Sequence, residues 1–479
     1  MLLKNSVIYL IGRIIPSAIN FSLVALYTRL MGPDEYGKYA SVVAAGIMGF
    51  NLGSMWLNMA ALRLYAKNDD KKPLLWSLFV GFSAVIGIGI VVSAGIALWL
   101  GTVEQAVLVV LGFLLFAGTA WFELNLHLMQ ARLEAMSYVV QNIARTALGG
   151  LIGGLLAWAG WGAQGILIGT ILGLVIPAIP MTIRQWRELE VRRRHPEAMR
   201  EVLEYGIPLS MSFAVQSVVN VTDRFLVLAI NGTTALGLYA VGYDLADRII
   251  RALSQPLGAA SLPLAIARLE KEGPEGAREQ CKQNLVVLLL LALPACLGLI
   301  AITPDLVDIV VGAEYRESSK QIVPIIALTS IVMMLRGNYL DHAFHLGMQP
   351  RRQLVTSSIV AVTNFVFGFM LVHRYGAVGA AYGALLAYTL AFLISLFLGR
   401  KVFPLPLMPV EVLKITAAAV LMMLVARYLQ VPGGELVNLL VKTASGAVVY
   451  IGLILLFDVN GMRRHLLKFG QRWQLKFSR

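Results

Sequence analysis

Residues 74–100 read LLWSLFVGFSAVIGIGIVVSAGIALWL, an apolar run that contains no charge and no proline. About 20 such residues wound as a helix cross the hydrocarbon of a bilayer. In lipid, a helix also gives every backbone N–H and C=O a partner within its own segment. The run therefore predicts a transmembrane helix. Similar runs flank it at 106–122, 285–302 and around 417–426. Composition agrees, with 58% hydrophobic residues, only 14% charged residues and a positive mean hydropathy. A soluble domain carries about 25% charged residues. Lys4 followed by an apolar run has the outline of a signal peptide, but Arg13 and Pro16 interrupt it and no small-residue cleavage site follows. It is read as a retained first span.

Extending this reading along the chain places spans at about 5–30, 36–65, 74–100, 104–129, 134–159, 163–183, 204–230, 236–264, 281–302, 321–346, 353–372, 377–399, 411–430 and 437–457. The predicted class is an all-α polytopic membrane protein with about 14 transmembrane helices. Two six-helix bundles, 1–183 and 204–400, are separated by a basic linker at 184–203. Two extra helices at 401–457 and a basic tail at 458–479 follow.

The formal charge of +13 is consistent with nucleic-acid binding as a bare number, but its distribution argues against it. About 24 Lys and Arg fall in alternate loops and the tail, including Lys67, Lys71, Lys72, Arg132, Arg184, Arg351 and Arg400, against about five on the other side. The five are Arg316, Lys320, Arg374, Arg427 and Lys442. Such a bias orients membrane proteins with the basic side in the cytoplasm. Both termini are then expected in the cytoplasm, with the chain multi-pass in the cytoplasmic (inner) cell membrane. Within the linker, Trp186, Leu189 and Val191 lie among arginines, which predicts an interfacial helix held near anionic headgroups. The two cysteines, Cys281 in an expected basic loop and Cys296 in a span, show no metal spacing. No metal or cofactor is expected.

The two halves resemble each other. Gly32, Gly37, Tyr39 and Ala40 recur 200 residues later as Gly232, Gly237, Tyr239 and Ala240, and Ser17 and Asn20 recur as Ser217 and Asn220. Met129-Gln130-Ala131-Arg132 resembles Met348-Gln349-Pro350-Arg351, and Trp161-Gly162-Ala163 resembles Tyr375-Gly376-Ala377. Six spans per copy give a parallel repeat about an axis along the membrane normal, an arrangement suited to alternating access around a central site.

Ionisable residues at membrane depth cost at least roughly 2.5–3.5 kcal/mol and so face a cavity or a partner. Arg13, Ser17, Asn20 and Tyr27 share one helical face, as do Ser210, Ser217, Asn220 and Arg224 in the repeat-related span. Asp244 with Arg248, and Asp247 with Arg251, stand four apart, a spacing that suits internal neutralisation as well as substrate binding. Asp223, Arg145 and Arg336 complete the candidate cavity set. Arginine outnumbers acid in these spans. Guanidinium binds phosphate through two parallel hydrogen bonds, so the predicted substrate is anionic. His127, His342 and His345 are read as ordinary helix-end histidines.

Three stretches carry a family resemblance: Arg29-Leu-Met-Gly-Pro-Asp-Glu-Tyr-Gly-Lys-Tyr, then Tyr205-Gly-Ile-Pro-Leu with Asp223-Arg224-Phe225 and Leu236-Gly-Leu-Tyr, and finally Val310-Val-Gly-Ala-Glu-Tyr. In this order they resemble polysaccharide-transporter flippases of the multidrug/oligosaccharidyl-lipid/polysaccharide exporter superfamily. The resemblance implies a V-shaped two-lobed fold and a cationic cavity. It also implies export of polyprenyl-pyrophosphate-linked oligosaccharide, with membrane lipids, a polysaccharide polymerase and glycosyltransferases as partners. A lipid II flippase and a cation-coupled multidrug exporter are the rival readings within that superfamily. Against the drug exporter, the first span carries Arg13 and no carboxylate. An enzyme is disfavoured because the loops are short and hold no catalytic cluster.

Overall fold

The computed structural model describes residues 2–67, 70–190 and 195–461. The described residues are mostly helical and contain no strand. Its helices are α1 (Leu2–Leu30), α2 (Pro33–Gly53), α3 (Met55–Lys67), α4 (Lys72–Leu100), α5 (Val103–Ala131), α6 (Ala135–Leu156) and α7 (Gly162–Gln185). Then come α8 (Pro196–Val310), α9 (Arg316–Leu335), α10 (His342–Leu346), α11 (Pro350–Val402), α12 (Pro409–Tyr428) and α13 (Gly434–Leu456).

Local chemistry sets the breaks. Pro33 starts α2 directly after Gly32, where the missing N–H costs nothing because a first-turn N–H has no helical partner. Gly101 ends α4 in the left-handed conformation at φ 74°. The Thr102 hydroxyl then accepts the Gln105 N–H at 3.3 Å and caps α5. The expected single span at 36–65 is bent by 48° between α2 and α3.

Among the described residues, nine helical stretches are long and apolar enough to cross a membrane, or ten if the bent α2–α3 pair is one span. The chain is therefore a multi-pass membrane protein. The expected fourteen is a larger number because several stretches are too long for one pass. Residues 135–185, 260–310 and 351–402 run for 51, 51 and 52 residues. At 1.5 Å per residue each is about 75 Å long, against roughly 30 Å of hydrocarbon. Each contains a glycine of positive φ: Gly160 and Gly162, Gly273, and Gly376. The sequence match of Trp161-Gly162 with Tyr375-Gly376 reappears as backbone geometry, with φ/ψ of 48°/−133° at Gly162 and 59°/−141° at Gly376.

The chain divides into two compact units, Met1–Val241 with Asn364–Ala380, and Gly242–Thr363 with Ala381–Arg479. In the first unit, α6 and α7 approach backbone to backbone. A Cβ placed on Gly169 would lie 2.1 Å from the Gly153 nitrogen, and one on Gly173 would lie 2.6 Å from the Arg145 carbonyl. Small residues four apart on both helices permit this contact. Gly12 and Leu23 of α1 meet Val139 and Gly150 of α6. In the second unit, Lys442 is a correction to the sequence reading. It is not a loop charge but a buried residue of α13. Cys281 likewise lies buried within α8 rather than in a loop.

The linker also departs from expectation. Residues 186–190 are not helical. Trp186 turns into the core of Leu57, Leu75, Leu78, Leu124 and Val202. Its indole stacks on Trp121 at 4.8 Å, and its Nε1 donates to Asn125 Oδ1 at 3.0 Å. A side chain held this way cannot float at a lipid interface. Lys67 and Glu201 tie the segment to the end of α3 at 2.6 Å. Residues 191–194, including Arg192, Arg193 and Arg194, lie outside the described residues.

Candidate functional site

The first unit holds Arg13, Asn20, Arg145, Asn220, Asp223 and Arg224. The second holds Asp244, Asp247, Arg248, Arg251 and Arg336. The side chains of Arg13 and Arg251 lie outside the described residues.

Arg145 of α6 is paired. Its Nη1 lies 2.8 Å from Glu123 Oε1 on α5, and its guanidinium sits 5.0 Å from the Phe122 ring. Both partners remain partly exposed, at 30% and 24%. Asn20, Asn220 and Arg224 are half-buried. Asp223 is buried; its Oδ1 accepts the Arg224 N–H at 2.9 Å, and its Oδ2 accepts the Tyr239 hydroxyl. The repeat places Leu23 and Val24 at the corresponding positions of the first copy, so this charged pair belongs to the second copy alone. Ser217 accepts from Asn51 Nδ2 at 3.1 Å, so part of the predicted polar face of that span is spent on α2.

In the second unit, Arg248 Nη2 reaches Asp244 Oδ2 at 3.5 Å, as the four-residue spacing predicts. Asp247 is half-buried. Arg336 differs from the others. It is buried, and it opens a five-residue π-helical turn, Arg336–Leu340. Its Nε lies 3.3 Å from Ser395 Oγ and 3.5 Å from Asp341 Oδ2. Its Nη2 donates to Ser357 Oγ at 3.1 Å and Thr356 Oγ1 at 3.4 Å. Ser395 in turn donates to Asp341 Oδ1 at 3.0 Å. This guanidinium is enclosed by protein partners and ties the end of α9 to both arms of α11. Removing one partner of a buried ion pair costs about 3–5 kcal/mol. Arg336→Ala is therefore expected to lower the amount of folded protein in detergent, read by monodisperse elution and melting, before any effect on transport is measured.

Sequence reasoning missed a contact that the repeat itself marked. Gly37 and Gly237, 200 residues apart, cross each other. A Cβ on Gly37 would lie 1.8 Å from the Thr233 carbonyl oxygen, and a Cβ on Gly237 would lie 1.9 Å from the Pro33 carbonyl oxygen. The contact is reciprocal, as a two-fold relation between the copies requires, and only glycine admits it. The Thr233 hydroxyl donates to the Asp34 carboxylate beside it. Around the same corner, Lys38 reaches Asp34, Glu35 and Glu104 at 3.1, 3.0 and 2.6 Å. Glu35 Oε2 accepts the Ala163 N–H at 2.8 Å and caps α7. All these residues lie within the first unit. Among the described residues, no cluster of His, Cys, Asp or Glu could hold a metal ion.

Residues 26–320 match the family of polysaccharide biosynthesis proteins. An Lsg locus protein of Haemophilus influenzae is 22% identical over 378 residues, 76% of this chain and 90% of its own length. The fold is that of the lipid II flippase MurJ in an inward closed conformation, with a TM-score of 0.76 at 15% identity over 96% of this chain and all of that one. An inward-facing multidrug-resistance MATE transporter of the MOP superfamily gives 0.58 at 15% identity over 82% and 97% of the two chains. A MOP-superfamily transporter from Pyrococcus furiosus gives 0.55 at 13% identity over 83% and 94%. At these identities the likenesses establish the fold.

Proposed function

The chain belongs to the polysaccharide biosynthesis protein family, and from that premise we propose that it carries a polyprenyl-pyrophosphate-linked oligosaccharide from the cytoplasmic to the outer leaflet by alternating access. In this reading the chain is a transporter rather than an enzyme. It passes fourteen times through the cytoplasmic membrane with both termini inside, the long helical stretches each turning back at their positive-φ glycines. The two six-helix halves are the two moving parts of that cycle. The exposed aromatics Trp99, Trp158, Trp161, Tyr375 and Tyr428 lie near proposed span ends, and amphipathic rings favour either membrane interface, which supports those span boundaries.

The observation that carries the reading is the family match over 26–320, a segment that contains the glycine crossing and the intramembrane arginines Arg145, Arg224 and Arg248. Arginine remains charged at every physiological pH and offers phosphate a planar fork of donors. The Arg145–Glu123 and Arg248–Asp244 pairs keep their guanidinium groups neutralised between substrates, and an entering pyrophosphate competes with the carboxylates. The polyprenyl tail stays in lipid while the headgroup passes. A polymerase and glycosyltransferases supply and consume this substrate.

Complementation separates the readings. In cells lacking their own polysaccharide flippase, the chain is expected to restore surface polymer. It is expected to rescue neither cells depleted of their lipid II flippase nor cells sensitised by loss of a drug exporter. Rescue of lipid II depletion without polymer export would replace this reading with the peptidoglycan one.

A further inference from the structure

The two C-terminal helices are fixed to the second unit by a buried charge pair. Lys442 of α13 and Asp305 of α8 lie 2.6 Å apart, and their side chains are only 10% and 13% exposed. Both residues fall in the second unit. A second tie lies further along the same two helices, where the Tyr450 hydroxyl donates to the Leu290 carbonyl at 3.0 Å. Lys442 and Tyr450 are eight residues apart and so share one face of α13. Between the ties, α12 fits into a notch of small residues. A Cβ on Gly298 of α8 and one on Gly446 of α13 would each lie 3.5 Å from the Met422 side chain.

The outward faces of this helix pair are apolar, with Leu413, Leu440, Val448, Ile451 and Leu456 exposed. Lipid tails are as apolar as these residues, so no hydrophobic force tells the pair where to sit. A lone charge in that environment is costly until it meets its opposite. We propose that the Asp305–Lys442 pair is the docking address that seats α12 and α13 on α8, so that the C-terminal helices travel with the second unit as one body. This assignment does not depend on which substrate is carried.

The test uses the full chain in native membranes, with Cys281 and Cys296 replaced by Ala and with Gly298→Cys and Met422→Cys introduced as a pair for a short thiol crosslinker. Because Asp305→Ala and Lys442→Ala each leave one buried charge without its partner, the crosslinked fraction is read only on the inserted, monodisperse protein, where each is expected to reduce it by about fivefold or more. Exchanging the charges, Asp305→Lys with Lys442→Asp, is expected to return the yield to within about twofold of the parent. Removing both charges leaves no buried orphan, yet gives no docking signal in lipid, so the double alanine variant is expected to crosslink as poorly as the singles. Parental crosslinking by either single variant, full recovery by the double alanine variant, or an exchanged pair no better than the singles would overturn the assignment.

Discussion

Leucine at Gly37 or at Gly237 is expected to stop polymer export while the protein still inserts and accumulates. Each position faces a carbonyl oxygen from the other copy of the repeat, less than 2 Å from where a Cβ would stand. Any side chain there separates α2 from the start of the corresponding helix after Gly232. Overpacking costs about 1–3 kcal/mol, and each roughly 1.4 kcal/mol is a tenfold change in population. In the proposed orientation this crossing lies on the outer side, where the proposed alternating access requires the two copies to meet and part. Export is therefore expected to fall about 10- to 100-fold with leucine and less with alanine. A companion variant, Asp34→Cys with Thr233→Cys, replaces the hydrogen-bonded pair at the same corner. Oxidation should arrest export and reductant should restore it. A crossing that is only static packing would tolerate the disulfide and lose protein, rather than transport, on leucine substitution.

The second large effect is expected at two of the arginines proposed to bind the anionic headgroup. Arg224→Ala and Arg13→Ala should each abolish export at unchanged protein level. Hydrogen bonds to charged groups contribute about 1.5–3 kcal/mol, which corresponds to roughly 10- to 100-fold in rate. Arg224→Lys should recover only part of the loss, because an ammonium keeps the charge but not the two-pronged geometry. The contrast with Arg336 is instructive. All three are intramembrane arginines in sequence, yet Arg336 is surrounded by Ser357, Thr356, Ser395 and Asp341. Its loss is expected to appear as unfolding rather than as inactivity in a stable protein.

The helical class was legible because lipid leaves the backbone almost no alternative, and hydropathy reports that directly. The repeat was legible too. The Gly162 and Gly376 match proved to be a shared backbone break, and the Gly37 and Gly237 match proved to be a reciprocal contact. The number of passes differs between the two readings, fourteen from hydropathy against nine or ten long apolar stretches among the described residues. Stretches of 51 or 52 residues that contain a positive-φ glycine count once by helix continuity, whereas hydropathy divides them at their polar positions. Within the candidate site, spacing predicted the Asp244–Arg248 pair because both partners lie on one helix. Glu123–Arg145, Asp34–Thr233 and Asp305–Lys442 join residues 22, 199 and 137 positions apart. No local periodicity encodes such partners. Trp186 misled for a related reason. Beside arginines it reads as an interfacial ring, and only the buried partner Asn125 reveals it as a core residue.

The most direct test is transbilayer movement of a labelled polyprenyl-pyrophosphate oligosaccharide in liposomes containing the purified protein, read by access of an added glycosidase to the newly exposed sugar. The account predicts protein-dependent movement that is lost with Arg224→Ala and absent for the same lipid carrying a neutral linkage in place of pyrophosphate. Equal movement of the neutral and pyrophosphate lipids, or wild-type movement by Arg224→Ala, would contradict it.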